Sequence, residues 1–310
     1  MSAPWRQVID DLAGEGLYAR VVPVERLDDV SARVSRALSD ADLPSAVAAA
    51  VADDVAFALP ESRRPWRSVV VFALARPLTQ ATLTWHGSEH TIPVPPHYAG
   101  YHGVPRAMAR RVDELLRPAG FAAAHCQPPL KTLAACAGLA RYGRNTIAYV
   151  DGLGSWLQLG ACVSDAPPPD DAAWGEPDVV ERCERCTACL RACPTGAIGG
   201  ERFVLHIERC LTYHNESRAP LPGWLEPSVH HTAVGCLRCQ KACPENHAAG
   251  LVAAAPETFD AQQTERVLAA ETDEDAWQEL DAATREKLER CGLDYLPAVV
   301  ARNLRLLLGP

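Results

Sequence analysis

No stretch of this 310-residue chain approaches the ~18 consecutive apolar residues of a membrane-spanning helix, so no membrane partner is expected. The opening Met1-Ser-Ala-Pro-Trp-Arg lacks an apolar h-region, and neither a secretory signal nor a twin-arginine leader is expected. Positive charge is in short supply: 30 Lys and Arg stand against 39 Asp and Glu, for a net charge of −9. An acidic chain is a poor candidate for tight, charge-driven binding to nucleic acid, although a local basic face stays open. Methionine occurs only 2 times, while alanine and arginine are abundant; the bias reads as genome composition rather than function. The remaining composition, 48% hydrophobic and 22% charged, is that of an ordinary globular protein with roughly two domains.

Cysteine is plentiful. Eight of the 12 cysteines fall between residues 183 and 243. The first group, Cys183-Glu-Arg-Cys186-Thr-Ala-Cys189-Leu-Arg-Ala-Cys193-Pro194, reads C-x2-C-x2-C-x3-C-P. The second, Cys236-Leu-Arg-Cys239-Gln-Lys-Ala-Cys243-Pro244, is the same run without its first cysteine, and Cys210 between the groups can supply the missing thiolate. A 4Fe–4S cluster takes four thiolates, so eight cysteines make two sets. In such runs the fourth cysteine crosses to the other cluster. Cys183, Cys186, Cys189 and Cys243 are therefore expected to hold one cluster, and Cys193, Cys210, Cys236 and Cys239 the other. Crossed ligands bring the clusters close enough for electrons to hop between them. Zinc is the competing reading, because paired C-x2-C motifs also build four-cysteine zinc sites; zinc has no use for the C-x2-C-x2-C-x3-C-P run. Many cysteines without an export signal suit a reducing, cytoplasmic setting. Cys126, Cys136, Cys162 and Cys291 are isolated and are expected to be buried thiols.

Periodicity predicts helices over 4–16, 24–40 and 104–118, the last stopped by Gly120. Residues 67–75 form a β-branched, buried strand, and 82–94 a hairpin around His86-Gly-Ser-Glu. A second hairpin-like pair, 146–150 and 155–163, flanks Asp151-Gly-Leu-Gly154. Ala166-Pro-Pro-Pro-Asp-Asp reads as a linker. The expected organisation is an α/β domain over 1–170, a double-cluster ferredoxin-like module over 171–250 and a helical tail over 251–310. The tail is read as mostly solvated, with 296–308 apolar enough to dock. The fold class is α+β with a mixed sheet.

The cysteine module resembles that of the epoxyqueuosine reductase family and, more distantly, of reductive dehalogenases. The matching residues are Cys193-Pro-Thr-Gly-Ala-Ile198, Arg209-Cys210-Leu-Thr-Tyr213, Gly235-Cys236-Leu-Arg-Cys239-Gln240 and Cys243-Pro-Glu-Asn246. The likeness extends upstream through Leu133-Ala-Ala-Cys-Ala-Gly-Leu139, Tyr142-Gly-Arg-Asn145, Gly154-Ser155 and Leu159-Gly160, and downstream to a terminal helix around Arg302-Asn303. The resemblance implies a nitroreductase-like α/β domain that binds cobalamin, a corrinoid reduced by the clusters, and a two-electron reduction at cobalt. In the epoxyqueuosine enzymes the product is the tRNA base queuosine. Two departures stand out. The family's proton-donating aspartate falls by counting at Ala124, and no carboxylate occurs between Phe121 and Cys136. The helical-repeat extension that grips tRNA is not expected in the roughly 60 residues after the module. A smaller substrate is therefore expected, and tRNA is not.

The candidate cofactor-binding residues are Lys131, Gly138, Leu139, Tyr142, Gly143, Arg144, Asn145, Gly154, Ser155 and Gly160. The glycines could let backbone approach a flat macrocycle; ordinary turns explain them equally well. Arg144 and Asn145 could touch corrin amides or substrate, or form a capping pair. Lys131 could orient an anionic group or be solvated. The loop His97-Tyr98-Ala-Gly-Tyr101-His102 supplies candidate proton donors, Tyr98, Tyr101 and His102, which could instead be packing aromatics. His214, His230 and His231 are expected at the surface rather than on cobalt. The leading functional expectation is a corrinoid-dependent iron–sulfur reductase of a small molecule, fed by a low-potential ferredoxin or flavodoxin. The alternative is an electron-transfer or corrinoid-reducing accessory protein without an organic substrate of its own.

Overall fold

Residues 3–41, 43–199 and 205–309 are described by the computed structural model. In chain order the helices are α1 (Ala3–Gly14), α2 (Arg26–Asp40), α3 (Ser45–Val55), α4 (Gly103–Leu116), α5 (Leu130–Cys136), α6 (Ala188–Ala192), α7 (Leu211–Glu216), α8 (Arg238–Lys241), α9 (Pro244–Ala249), α10 (Ala261–Ala269), α11 (Glu274–Gln278), α12 (Ala282–Cys291) and α13 (Pro297–Leu308). The strands are β1 (Leu17–Pro23), β2 (Ser68–Ala75), β3 (Thr79–Trp85), β4 (Ser88–Val94), β5 (Ala123–Cys126), β6 (Arg141–Tyr142), β7 (Ala148–Tyr149), β8 (Leu157–Ser164) and β9 (Glu257–Phe259). Helices and strands are mixed as the α+β expectation holds. Among the described residues no helix is long and apolar enough to cross a membrane.

The chain divides into two units: residues up to Ala75 with His102–Cys186, and Arg76–Tyr101 with Thr187 onward. This differs from the linear partition expected at 170 and 250. The physical reason is a non-local pairing: β3 of the predicted hairpin takes β9 as a parallel neighbour, with Ala81, Thr82 and Leu83 opposite Glu257, Thr258 and Phe259. Nothing in a local hydrophobic pattern announces a partner so far along the chain.

In the first unit a four-stranded sheet runs β1-β2-β8-β5. Every pair is antiparallel, so this sheet is not the mixed one expected. β2 and β8 are buried on both faces because they are apolar at consecutive positions. Val69, Val71, Ala73, Ala161 and Val163 pack with Leu27 and Val30 of α2 and Leu133 and Ala134 of α5. Val70, Phe72 and Cys162 pack on the opposite face with Trp5, Val8 and Leu12 of α1 and Met108, Val112 and Leu116 of α4. Fully burying Phe72 contributes about 1.5–3 kcal/mol. The second predicted hairpin does not form. β7 pairs with β6, and β8 enters the middle of the sheet, where its two apolar faces are both covered. The proline-rich linker also belongs to this unit: Ala166 is buried, and the Trp5 indole donates to the Pro167 carbonyl at 2.7 Å.

In the second unit the mixed sheet is β4-β3-β9. The hairpin turn sits at His86 and Gly87, both with positive φ, 47° and 78°, as a two-residue turn requires. The tail is not mostly solvated. Leu83, Ile92 and Phe259 of the sheet share a core with Val267, Leu268, Leu280, Leu288, Val300 and Leu304. Helices α10 and α12 are half polar, which hides their buried stripe from composition. The terminal helix α13 docks as expected, burying Val299, Val300, Leu304 and Leu308.

Candidate metal centre

The cysteine spacings fold into short helical turns. Cys183 lies in the 3-10 turn Glu181–Glu184 and Cys189 in α6, whose last turn ends at Cys193 before Pro194. Cys210 stands at the N-cap of α7, Cys239 in α8 and Cys243 at the N-cap of α9, where Pro244 occupies the first helical position without costing a hydrogen bond. All of the cysteines are free thiols.

Cys193, Cys210 and Cys236 lie within electrostatic reach of one another in the second unit, although among the described residues no three Cys, His, Asp or Glu side chains close on a single metal-ion position. Cys193 opposes ionisation of Cys210, and both Cys210 and Cys193 oppose ionisation of Cys236. Burial pushes the Cys236 thiol up to about 12, against the Arg238 backbone N–H, which favours the thiolate. Burial also raises Cys210, while the N–H groups of Thr212 and Tyr213 and the Thr212 hydroxyl favour its thiolate. A thiol held this high ionises when iron supplies the opposing charge. Ala197 N–H points at Cys193 Sγ at 3.3 Å and the Thr195 hydroxyl lies 3.6 Å from it. Donors aimed at sulfur suit a thiolate-held cluster and tune its potential. The donor set of this unit fits iron–sulfur chemistry.

His231 lies against this group. Its Nδ1 donates to the Val229 carbonyl at 3.2 Å, which leaves Nε2 to accept the Leu237 N–H at 3.2 Å; Nε2 is 3.9 Å from Cys236 Sγ. Burial lowers its pKa. His230 is buried rather than at the surface, and neither ring nitrogen has a protein partner.

In the first unit, the β6–β7 turn grips Cys183. The Arg144 N–H points at Cys183 Sγ at 3.4 Å, and Arg144 Nη2 donates to the Cys183 carbonyl at 2.7 Å. Arg144 thus holds the first cysteine of the run rather than making the corrin or capping contacts expected for it. Asn145 is buried and donates to the Tyr149 hydroxyl at 3.0 Å. Gly143 is required by packing: a Cβ there would lie 2.6 Å from the Tyr149 ring and 2.5 Å from Asn145 Oδ1. Gly160 stands directly opposite Phe72, and a Cβ would meet its ring at 2.1 Å. Leu139 is in the core, and the Tyr142 hydroxyl reaches Thr132 at 3.2 Å. Each of these has an occupant inside the unit. Gly138 differs: it is exposed, has φ +67°, and a Cβ would meet nothing within 4 Å. Lys131 is exposed on α5, Ser155 is buried, and Gly154 has φ +58°.

The candidate proton donors separate. Tyr98 is buried, and its hydroxyl donates to the Glu216 carboxylate. Burial and then the Glu216 charge push the phenol well above its usual value. Its ring stacks against Tyr101 and lies tilted on Tyr295; its edge fills the space beside Gly235, and its backbone and Cβ that beside Gly292. His102 is exposed at the start of α4. At the expected aspartate position, Ala124 packs into the sheet core, and its neighbour His125 has its pKa lowered by burial and by Arg106 and His102. The four isolated cysteines are buried thiols as expected, with Cys126 and Cys291 pushed up to about 12 by burial.

Residues that sequence reasoning missed include Glu216, Asn215 and Thr232. Asn215 Nδ2 donates to the Gly235 carbonyl at 2.9 Å, and the Thr232 hydroxyl donates to the same oxygen at 2.9 Å. Their polar side chains carry no periodic signal, and only the fold buries them.

Residues 182–246 match the family described as "4Fe-4S double cluster binding domain". An epoxyqueuosine reductase of Pseudomonas aeruginosa is 37% identical over 108 residues, covering 34% of this chain and 28% of that protein. The chain's match thus spans little more than a quarter of that relative's length. The solved epoxyqueuosine reductase of Streptococcus thermophilus aligns over 98% of this chain and 80% of its own, with a TM-score of 0.63 and 16% identity. A solved epoxyqueuosine reductase with an epoxyqueuosine-modified tRNA-Tyr stem loop aligns over the same shares, with a TM-score of 0.61 and 17% identity. The resemblance expected from the motifs therefore holds in sequence over 108 residues and in fold over 98% of the chain.

Proposed function

We propose that this chain is a corrinoid-dependent iron–sulfur reductase acting on a small molecule in the cytoplasm. The supporting observation is one chain in which a double-cluster domain, 182–246, accompanies an epoxyqueuosine reductase-like fold. The ligand sets we assign are Cys183, Cys186, Cys189 and Cys243, and Cys193, Cys210, Cys236 and Cys239; the mutual approach of Cys193, Cys210 and Cys236 supports the second. A corrinoid, when bound, would supply a two-electron metal centre. Of the chain's own residues, Gly138 with its open Cα side, together with Lys131 and Ser155, is best placed to hold it. Arg144 would hold Cys183 and offset the negative charge of a reduced cluster. With Tyr98 committed to Glu216, the exposed His102 is the better proton donor of the loop candidates. A low-potential flavodoxin or ferredoxin would supply electrons. The net charge of −9 favours a small substrate over tRNA.

The test is anaerobic reconstitution followed by titration with hydroxocobalamin. Iron, sulfide and a saturable change in the corrinoid spectrum are expected. Iron and sulfide without corrinoid affinity would overturn the reading in favour of an electron-transfer protein, which the absence of a carboxylate at Ala124 otherwise favours. Restored queuosine in the tRNA of a strain lacking that activity would replace the small substrate with tRNA.

A further inference from the structure

The charge of the cysteine module runs against that of the chain. Between Arg182 and Asn246 eight arginines and lysines stand against six aspartates and glutamates, although the whole chain carries −9. Three of these cations lie on two helices of the second unit that pack together. Arg191 lies on α6, and Arg238 and Lys241 lie on α8; the two helices pack together, and all three side chains are exposed. Arg191 donates to the Thr187 hydroxyl on its own turn, and none of the three joins an ion pair among the described residues. Three like charges with no ion-pair partner among the described residues repel one another, so an acidic surface laid over them would be attracted.

The same helices carry cluster cysteines: Cys189 on α6 and Cys239 on α8, one from each assigned set. Arg238 also directly follows Leu237, whose N–H donates to His231 Nε2 at 3.2 Å, and that nitrogen is 3.9 Å from Cys236 Sγ. A protein seated on these cations would stand over thiolates of both clusters, where electrons can pass.

We propose that Arg191, Arg238 and Lys241 form the docking face for an acidic electron-carrier protein that loads the clusters. The inference rests on the iron–sulfur part of the proposed function and needs neither corrinoid nor organic substrate. Exposed charges at an interface act mainly on encounter rate and salt dependence. A competing account of the same cations is that they only offset the negative charge of the clusters.

The test uses the full, cluster-reconstituted chain and purified flavodoxin, with a 2Fe–2S ferredoxin as the second probe. Binding is measured by calorimetry against salt concentration, and cluster reduction by stopped-flow bleaching. The combined R191Q, R238Q and K241Q variant should bind the carrier about tenfold more weakly at low salt, with a shallower salt dependence. Its reduction by dithionite and its midpoint potentials should match the parent. K241E, a single exposed change, should weaken binding in the same direction if the triple variant loses iron. Whichever carrier binds identifies the donor class. Unchanged binding and salt dependence in both variants would overturn the proposal. So would a shift in midpoint potentials with carrier binding intact, which would make the cations charge compensators alone. A chain that fails to bind corrinoid but shows the expected salt-dependent binding would sink the corrinoid reading and leave the docking face standing.

Discussion

Asn303 on α13 donates its amide to the Asn215 carbonyl at 2.9 Å and the Ala233 carbonyl at 2.8 Å. Asn215 lies five residues after Cys210, and Ala233 three before Cys236. One fully buried side chain thus fastens both segments. Its neighbour Arg302 adds bonds to the carbonyls of His214, Ser217 and Ala219. Asn303→Ala leaves two buried carbonyls without their donor and should cost about 2–4 kcal/mol, read from urea unfolding. Iron retention after dilution should fall in parallel. An unchanged unfolding midpoint would contradict the fastening role.

Arg144→Ala removes the guanidinium from the Cys183 carbonyl but keeps the backbone N–H on Sγ. Loss of a positive charge beside a cluster disfavours its reduced form. The midpoint potential of one cluster should fall by about 20–60 mV, on the order of 1 kcal/mol for a one-electron couple. Redox titration followed by electron paramagnetic resonance measures this, and Arg144→Lys should recover part of the shift.

Tyr98→Phe removes the hydroxyl that meets Glu216. A structural tyrosine should lose about 1–3 kcal/mol of stability while the pH profile of turnover stays the same. A profile that loses a limb would instead return Tyr98 to the role of proton donor.

Gly160→Ala would place a Cβ 2.1 Å from the Phe72 ring. Overpacking of this kind should cost about 1–3 kcal/mol. Adding Phe72→Leu should recover part of that loss, and the double-mutant cycle should show coupling. The affinity of the folded protein for any flat cofactor should be unaffected.

Stability should decline in mild acid. Burial lowers the pKa values of His125 and His230 in the folded protein. Unfolded histidine titrates near about 6.5, so the unfolded chain takes up these protons first. Their contribution is therefore complete above that pH and is lost as pH falls toward the lowered folded values. Thermal unfolding from pH 7.5 to 5 should show the drop, and His230→Leu should flatten it, because neither His230 nitrogen has a protein partner to lose. A flat profile in the parent protein would refute this.

The double-cluster character of residues 182–246 is legible in the sequence alone. Cluster ligation imposes spacing on the chain itself, so C-x2-C-x2-C-x3-C-P and the single Cys210 carry their meaning locally. The strand at 67–75, the hairpin at 82–94 and the docked terminal helix were legible for a similar reason: a buried face leaves a period in the sequence. The second hairpin was misread because β8 is apolar on both faces, and such a run can pair on either side. The tail was misread because α10 and α12 show solvent more polar residues than they hide apolar ones.

The sequence by itself determined the donor atoms: which thiolates exist, how far apart they stand along the chain, and that no carboxylate occupies the stretch from Phe121 to Cys136. Only the tertiary structure decided which residues meet. It joined the 79–94 hairpin to β9, brought Cys193 within electrostatic reach of Cys210 and Cys236, aimed Arg144 at Cys183 and buried Tyr98 against Glu216. These are contacts between residues tens to more than a hundred positions apart. They arise from the packing of whole elements, which no short stretch of sequence encodes.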